Sequence, residues 1–265
     1  MYDFTYHRPK SLADAVSLLK GKPEGRVMSG GMTLIPTLKQ RLAKPSDVVD
    51  LGGVKELAGI KVEGNNVVIG GMTRHADVAT SADVKGAIPA LAYLAGHIGD
   101  PQVRNRGTIG GSIANNDPAA DYPAAVVALN ATVISNTGKH TADAFFKGLF
   151  ETALGEGELV TSVSFPKAEK AAYMKFPNPA SRYAMVGVFV AKTAGGVRVA
   201  VTGAGPSVFR VKAMEDALAK NFSSAAIKDI KIPADGLNSD IHGSAEYRAH
   251  LVGVMARRAV DAANK

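Results

Sequence analysis

The chain contains no cysteine and no tryptophan, and aromatic residues make up only 6% of its 265 positions. Without cysteine there is no disulfide framework, no thiolate nucleophile and no cysteine-ligated metal centre. Any iron–sulfur cluster that works with this chain has to sit on a partner. The scarcity of aromatic rings leaves few platforms on which bases or sugars can stack. Long apolar runs are missing as well: none approaches the ~20 residues of a membrane span. The start, Met1-Tyr2-Asp3-Phe4, lacks the basic-then-apolar order of a secretory leader. A cytoplasmic protein without a membrane span is therefore expected. Lys and Arg number 31 against 24 Asp and Glu, for a net charge of +7, but no basic run is longer than Arg257-Arg258. Nucleic-acid binders concentrate their basic residues on one face, so nucleic acid is not expected. An acidic partner or an anionic cofactor accounts for the charge equally well.

Against these absences, 46% hydrophobic and 21% charged residues describe an ordinary globular chain able to bury a core. Ser11-Leu12-Ala13-Asp14 reads as the start of a short helix ended by Gly21. Arg26-Val27-Met28 reads as a strand, Leu34, Ile35, Leu38 and Leu42 as one helix face, and Val48 to Leu51 as a further strand. Residues up to about 56 thus form a small α/β unit. Gly59 to Val62 and Asn66 to Ile69 read as a hairpin, followed by helices capped at Thr73 and running from Ile88 to Ile98. Tyr122 to Leu129 reads as a helix, Ala131 to Ser135 and Leu159 to Phe165 as strands. The prolines between Pro166 and Pro179 suggest a boundary. Beyond it, Tyr183 to Ala191 pairs with Val197 to Thr202, Ala213 to Lys220 is helical, and a long helix opens at Gly243-Ser244. No internal repeat occurs.

Two segments carry the chemistry. In Val27-Met28-Ser29-Gly30-Gly31-Met32-Thr33-Leu34 a strand ends, two glycines follow and a helix begins. Glycines admit close backbone approach, and a helix N-terminus favours an anion, so the segment suits phosphate; a plain tight turn is the alternative. Thr108-Ile109-Gly110-Gly111-Ser112 repeats the glycine pair between two hydroxyls, with the same two readings. Two such loops suit a ligand with two phosphates, one held from each side, and a dinucleotide cofactor fits that description. Asp121 is either an acceptor for ribose or ribityl hydroxyls or a helix N-cap. Arg104-Asn105-Arg106 either neutralises phosphate or is a solvated basic turn. The six histidines never pair at ligand spacing and read as surface or helix-end residues. No dinucleotide fingerprint, Walker loop or nucleophile elbow is present.

The order "SGGMT", "TIGGS" and "DPAAD" resembles the FAD-binding medium subunits of the molybdenum hydroxylases. That family includes aerobic carbon monoxide dehydrogenase, xanthine dehydrogenase and bacterial aldehyde or N-heterocycle dehydrogenases. Tyr2 to Pro9, Pro101 to Gly107 and Gly243 to Arg248 extend the resemblance over nearly the whole chain. It implies an α+β fold: a two-lobed, CO dehydrogenase flavoprotein-like FAD-binding domain over 1–176, with lobes of about 1–56 and 57–176, then a smaller C-terminal α+β domain over 177–265. Val27, Met28, Ser29, Gly30, Gly31, Met32, Thr33 and Leu34 on one side, and Thr108, Ile109, Gly110, Gly111 and Ser112 on the other, would hold FAD. Asp121 matches a family FAD contact, Ile98, Val160 and Lys175 fall where relatives touch adenine or flavin, and Tyr183 lies on a flavin-facing strand. No catalytic acid or base and no metal ligand is expected of this chain.

The resemblance also implies partners: a large subunit with a molybdenum cofactor and a small subunit with [2Fe–2S] clusters, joined as a dimer of heterotrimers, with electrons leaving through this chain to an external acceptor. A stand-alone FAD-dependent oxidoreductase of the related fold is the alternative. Met32 and Asn115-Asn116 depart from the family, which often has histidine there.

Overall fold

A computed structural model describes all 265 residues. The first lobe consists of β1 (Thr5–His7), α1 (Leu12–Leu19), β2 (Arg26–Met28), α2 (Leu34–Lys39) and β3 (Asp47–Asp50). Its strands form a parallel sheet in the order β1-β3-β2. Ser11 caps α1 by accepting the Asp14 N–H at 3.1 Å, which satisfies one of the free donors at a helix start. Helix α2 stops at Lys39 and Arg41 turns to φ 60°. Leu42 therefore leaves the helical face assigned to it and lies 74% exposed.

The second lobe opens with the hairpin β4 (Ile60–Glu63) and β5 (Asn66–Gly70). Five helices follow: α3 (His75–Thr80), α4 (Ala82–Ala87), α5 (Pro89–Gly96), α6 (Pro101–Arg106) and α7 (Ile109–Asn115). Then come α8 (Tyr122–Ala128), β6 (Thr132–Ser135), β7 (Lys139–Thr141), α9 (Ala142–Phe145), the small hairpin β8 (Phe146–Gly148) and β9 (Glu151–Thr152), and β10 (Val160–Pro166). The main sheet runs β4-β5-β10-β6-β7. Val67, Ile69, Val133, Val163 and Phe165 turn one face of it into the largest core, against α5, α7 and α8. Thr73 does not cap α3: its hydroxyl exchanges bonds with the Gly59 backbone instead.

The C-terminal unit is the antiparallel sheet β11 (Lys170–Pro177), β12 (Ala184–Thr193), β13 (Gly196–Thr202) and β14 (Phe209–Arg210), covered by α10 (Lys212–Lys220) and α11 (Ala245–Ala263). Alternate β12 and β13 residues, Val186, Val188, Val190, Val199 and Val201, pack against Leu251, Val252, Met255 and Ala259 of α11. Strand β11 pairs along its length with β12, from Lys170–Lys192 to Pro177–Ala184. Residues 170–176 thus belong to the C-terminal sheet, and the boundary placed at 176 moves to before Lys170. Prolines and lysines disguised β11; only its neighbour β12, buried over most of its length, recruits it. No helix is long and apolar enough to cross a membrane.

Candidate functional site

A cavity of about 590 Å³ lies where the two lobes meet, within the size range of cofactor sites. Val27, Ser29, Gly30, Gly31, Met32, Thr33 and Leu34 line one wall, and Thr108, Gly110, Gly111 and Ser112 the opposite one. Ile98, Asp121, Val160 and Tyr183 also reach it. Met28, Ile109 and Lys175 do not: Ile109 is in the core, and Lys175 is turned toward Asp121. The lobes touch at the cavity floor, where Ser29 Oγ meets Thr108 Oγ1 at 2.5 Å and Met72 Sδ at 2.9 Å.

The two glycine segments turn out to be unlike. In the first, none of the N–H groups of Gly30, Gly31, Met32, Thr33 and Leu34 has an acceptor within the chain. Gly31 adopts φ +75°, which a side chain would resist. A run of unpaired N–H groups curling through such a turn is a concave anion site. In the second, the backbone N–H groups from Ile109 to Ser112 are all used. Ile109 N–H bonds Thr73 O at 3.1 Å, Gly110 N–H bonds Gly71 O at 2.9 Å, and Ser112 N–H bonds Thr108 O at 3.0 Å. Gly111 N–H is taken by the capping hydroxyl of Thr108 at 3.2 Å. This segment is the first turn of helix α7, not a loop. Gly110 is required by packing: a Cβ there would stand 2.6 Å from Gly71 O. The second wall therefore offers hydroxyls and close packing, and the first offers backbone donors.

Asp121 makes contacts that neither reading of the sequence contained. It stands at the N-cap position of α8, but its side chain makes no capping bond. Instead it is buried, accepting from Tyr173 Oη at 2.5 Å and from Lys175 Nζ at 2.9 Å. Burial pushes its carboxyl up, against the opposing pull of the Lys175 charge and both hydrogen bonds. Tyr173 and Lys175 come from β11, so this pair ties the C-terminal sheet to the cavity wall. Arg104 is likewise occupied, with Nη1 donating to Ile98 O and Gly99 O at 3.1 Å each. Arg26, the one basic side chain lining the cavity apart from histidine, is tied to Pro23 O and Gly25 O. Glu158 lies at the other end. Burial pushes its carboxyl up, but Gly155 N–H, Ser135, His140 and Thr137 outweigh that and hold it at about 2. No lysine lines the cavity, and the unpaired backbone donors of the first wall are left to meet an anion.

Comparison with known proteins bears directly on this geometry. Residues 2–168 match the FAD binding domain in molybdopterin dehydrogenase, and residues 171–263 the CO dehydrogenase flavoprotein C-terminal domain. The chain belongs to the FAD-binding medium subunits of the molybdenum hydroxylases. The glyceraldehyde dehydrogenase medium chain of Sulfolobus acidocaldarius is 37% identical, over 97% of each chain. The carbon monoxide dehydrogenase medium chain of Hydrogenophaga pseudoflava is 36% identical, over 98% of this chain and 96% of that one. Among solved structures, reconstituted CO dehydrogenase from Oligotropha carboxidovorans superposes with a TM-score of 0.90 at 34% identity, over 98% of this chain and 97% of that one. These relatives are oxidoreductases, and FAD is the cofactor that the medium subunit's family carries. The donor set fits it: unpaired N–H groups on one wall suit a diphosphate, and the apolar side chains of Ile98, Leu154, Leu159 and Val160 suit aromatic rings.

Sequence reading missed His75 in the medium subunit. It stands at a helix end, the start of α3, as one of the two sequence readings has it, but it is 4% exposed rather than on the surface, and it lines the cavity. Burial, and secondarily the Arg104 charge, push its pKa down to about 4. The folded imidazole stays neutral while an unfolded one binds a proton near pH 6.5. The unfolded state therefore gains protons first, and stability is expected to fall as pH drops from about 6.5 to about 4, by about 3 kcal/mol in total from this residue. Urea midpoints of the wild type and His75→Gln across that range check this. The variant's curve should be the flatter, and parallel curves would refute the assignment.

Proposed function

We propose that this chain is the electron-exit subunit of a molybdenum hydroxylase complex. In that reading, a large partner with a molybdenum cofactor oxidises the substrate, and a small partner with [2Fe–2S] clusters carries single electrons. This chain passes them to an external acceptor. The observation that supports it best is the combination of unpaired N–H groups from Gly30 to Leu34 with a cavity that contains no acid–base pair suited to work on a substrate. Carboxylates do reach the cavity, but Asp121 is committed to Lys175 and Tyr173, Glu158 to its own hydrogen-bond ring, and Asp117 accepts from Ala119 N–H.

Bound FAD supplies the redox chemistry, accepting electrons and releasing them. The chain's own residues hold and orient it. Gly30 to Leu34 would hold the diphosphate through backbone N–H groups, with Ser112 contributing a hydroxyl from the facing wall. Ile98 and Val160 would flank the ring systems. Tyr183, half exposed at the rim, would cover a flavin face; burial, then Asp117 and Asp121, push its hydroxyl pKa up, so it stays protonated. The printed names of the relatives, medium chains and subunits of dehydrogenases and hydroxylases, support a partnered assembly over a stand-alone enzyme.

Purification of the full chain with whatever accompanies it tests the proposal. One FAD per chain is expected by absorbance, with two further chains carrying molybdenum and iron. A chain that neither retains nor takes up FAD would overturn the reading. A catalytically competent monomer would favour the stand-alone alternative.

A further inference from the structure

His75 and Tyr122 pose a question that the diphosphate cradle does not answer. Both are buried, at 4% and 0% exposure, with ring centroids 5.4 Å apart. His75 Nδ1 and the Tyr122 hydroxyl are sealed from solvent, and neither has a hydrogen-bond partner. Native interiors rarely leave such groups unpaired. His75 Nε2 also has no partner in the chain, but it is not among the sealed atoms, and its residue lines the cavity. It sits beside Gly107: a Cβ on that glycine would come within 2.6 Å of Nε2. The imidazole therefore reaches the cavity past the bare Cα of Gly107, in a lining that also includes Gly71, Thr108, Ile98 and Gly99.

Which nitrogen carries the proton follows from the surroundings. A neutral imidazole has one N–H and one lone pair. An orphaned N–H is rarer in protein interiors than an under-used acceptor, so the sealed Nδ1 is the place for the lone pair. The proton then lies on Nε2, and His75 presents an N–H to the cavity.

We propose that His75 is a positioning residue for the cofactor, donating Nε2–H to an oxygen of the polar chain that links the flavin ring to the adenosine. This rests on the FAD reading above. The oxygen is one of a phosphate or of the ribityl chain; both are acceptors that a neutral donor can serve. The residue does not take part in the redox step. Its contribution is to fix where the linker lies along the wall.

Two measurements on the full chain test this. The first is FAD titration of the apoprotein by flavin fluorescence. His75→Leu, close in size but without a donor, is expected to weaken FAD binding about 10- to 100-fold, the loss of one hydrogen bond to a charged or strongly polar acceptor. His75→Gln, which can carry an N–H to a similar reach, should stay within about threefold of wild type. The second is ¹⁵N NMR of histidine-labelled wild type, which needs no variant to fold. It should report the Nε2–H tautomer for His75, with a resonance that shifts when FAD is added. Unchanged affinity in His75→Leu, or an Nδ1–H tautomer, overturns the inference while leaving the FAD reading intact. A wild type with no affinity for FAD overturns that reading and the inference with it.

Discussion

Gly30→Ala is expected to empty the cofactor site and to cost about 3 kcal/mol or more of stability. The reason lies in what a methyl group would meet. A Cβ on Gly30 would run into the carbonyl oxygen of Arg106 and stand 2.7 Å from the Cα of Gly107. Both are backbone atoms, which cannot rotate away as a side chain can. Relief requires the strand–turn segment of the first lobe to back away from the second. That movement would break the Ser29–Thr108 contact of 2.5 Å at the cavity floor and pull the unpaired N–H groups of Gly30 to Leu34 out of place. Flavin content after gel filtration and a urea midpoint read the two effects. Gly138→Ala serves as the control, since a Cβ there meets nothing within 4 Å, and should lie within about 0.5 kcal/mol of wild type. A Gly30→Ala protein with full flavin and an unchanged midpoint would sink the argument.

Lys175→Met should be nearly as damaging, by a different route. The Lys175 side chain is 6% exposed and that of Asp121 3%, with Nζ 2.9 Å from Oδ1. Removing the cation leaves a buried carboxylate with Tyr173 as its remaining partner, a situation that costs about 3–5 kcal/mol. Lys175→Met combined with Asp121→Asn removes both charges and is expected to recover most of that loss, because a buried pair contributes little beyond its own desolvation. The double variant also decides what Asp121 is for. If it binds FAD as wild type does, Asp121 is a strut between sheets; if affinity collapses while the fold holds, it is a cofactor contact.

These expectations mark where sequence reading reached and where it stopped. The first glycine segment was legible because a strand, a Gly pair and a helix start follow one another within eight residues, and each is a local signal. The hairpin at Gly64 and the caps at Ser11 and Ser244 were legible for the same reason. The second glycine segment misled because glycines are poor helix formers, so Thr108 to Ser112 reads as a loop. It is helical because Gly110 can press against Gly71, a contact between residues far apart in the chain. The same applies to Lys175: nothing near it in sequence announces that it faces Asp121, because β11 acquires its place only by pairing with β12. His75 was hidden by its ordinariness. A single histidine at a helix start carries no spacing signal, and its significance lies in what surrounds it in space.

Strand β11 has one consequence for how such proteins can be rearranged. Its hydrogen bonds are made to the C-terminal sheet, while Lys175 on it neutralises, and Tyr173 on it donates a hydrogen bond to, a carboxylate in the wall of the cofactor lobe. A fragment cut after the second lobe would expose that carboxylate without its counter-ion. The flavin-bearing half is therefore not a transferable cassette: grafting or trimming it succeeds only if the first strand of the neighbouring unit travels with it, and that strand is unpaired without the rest of its sheet.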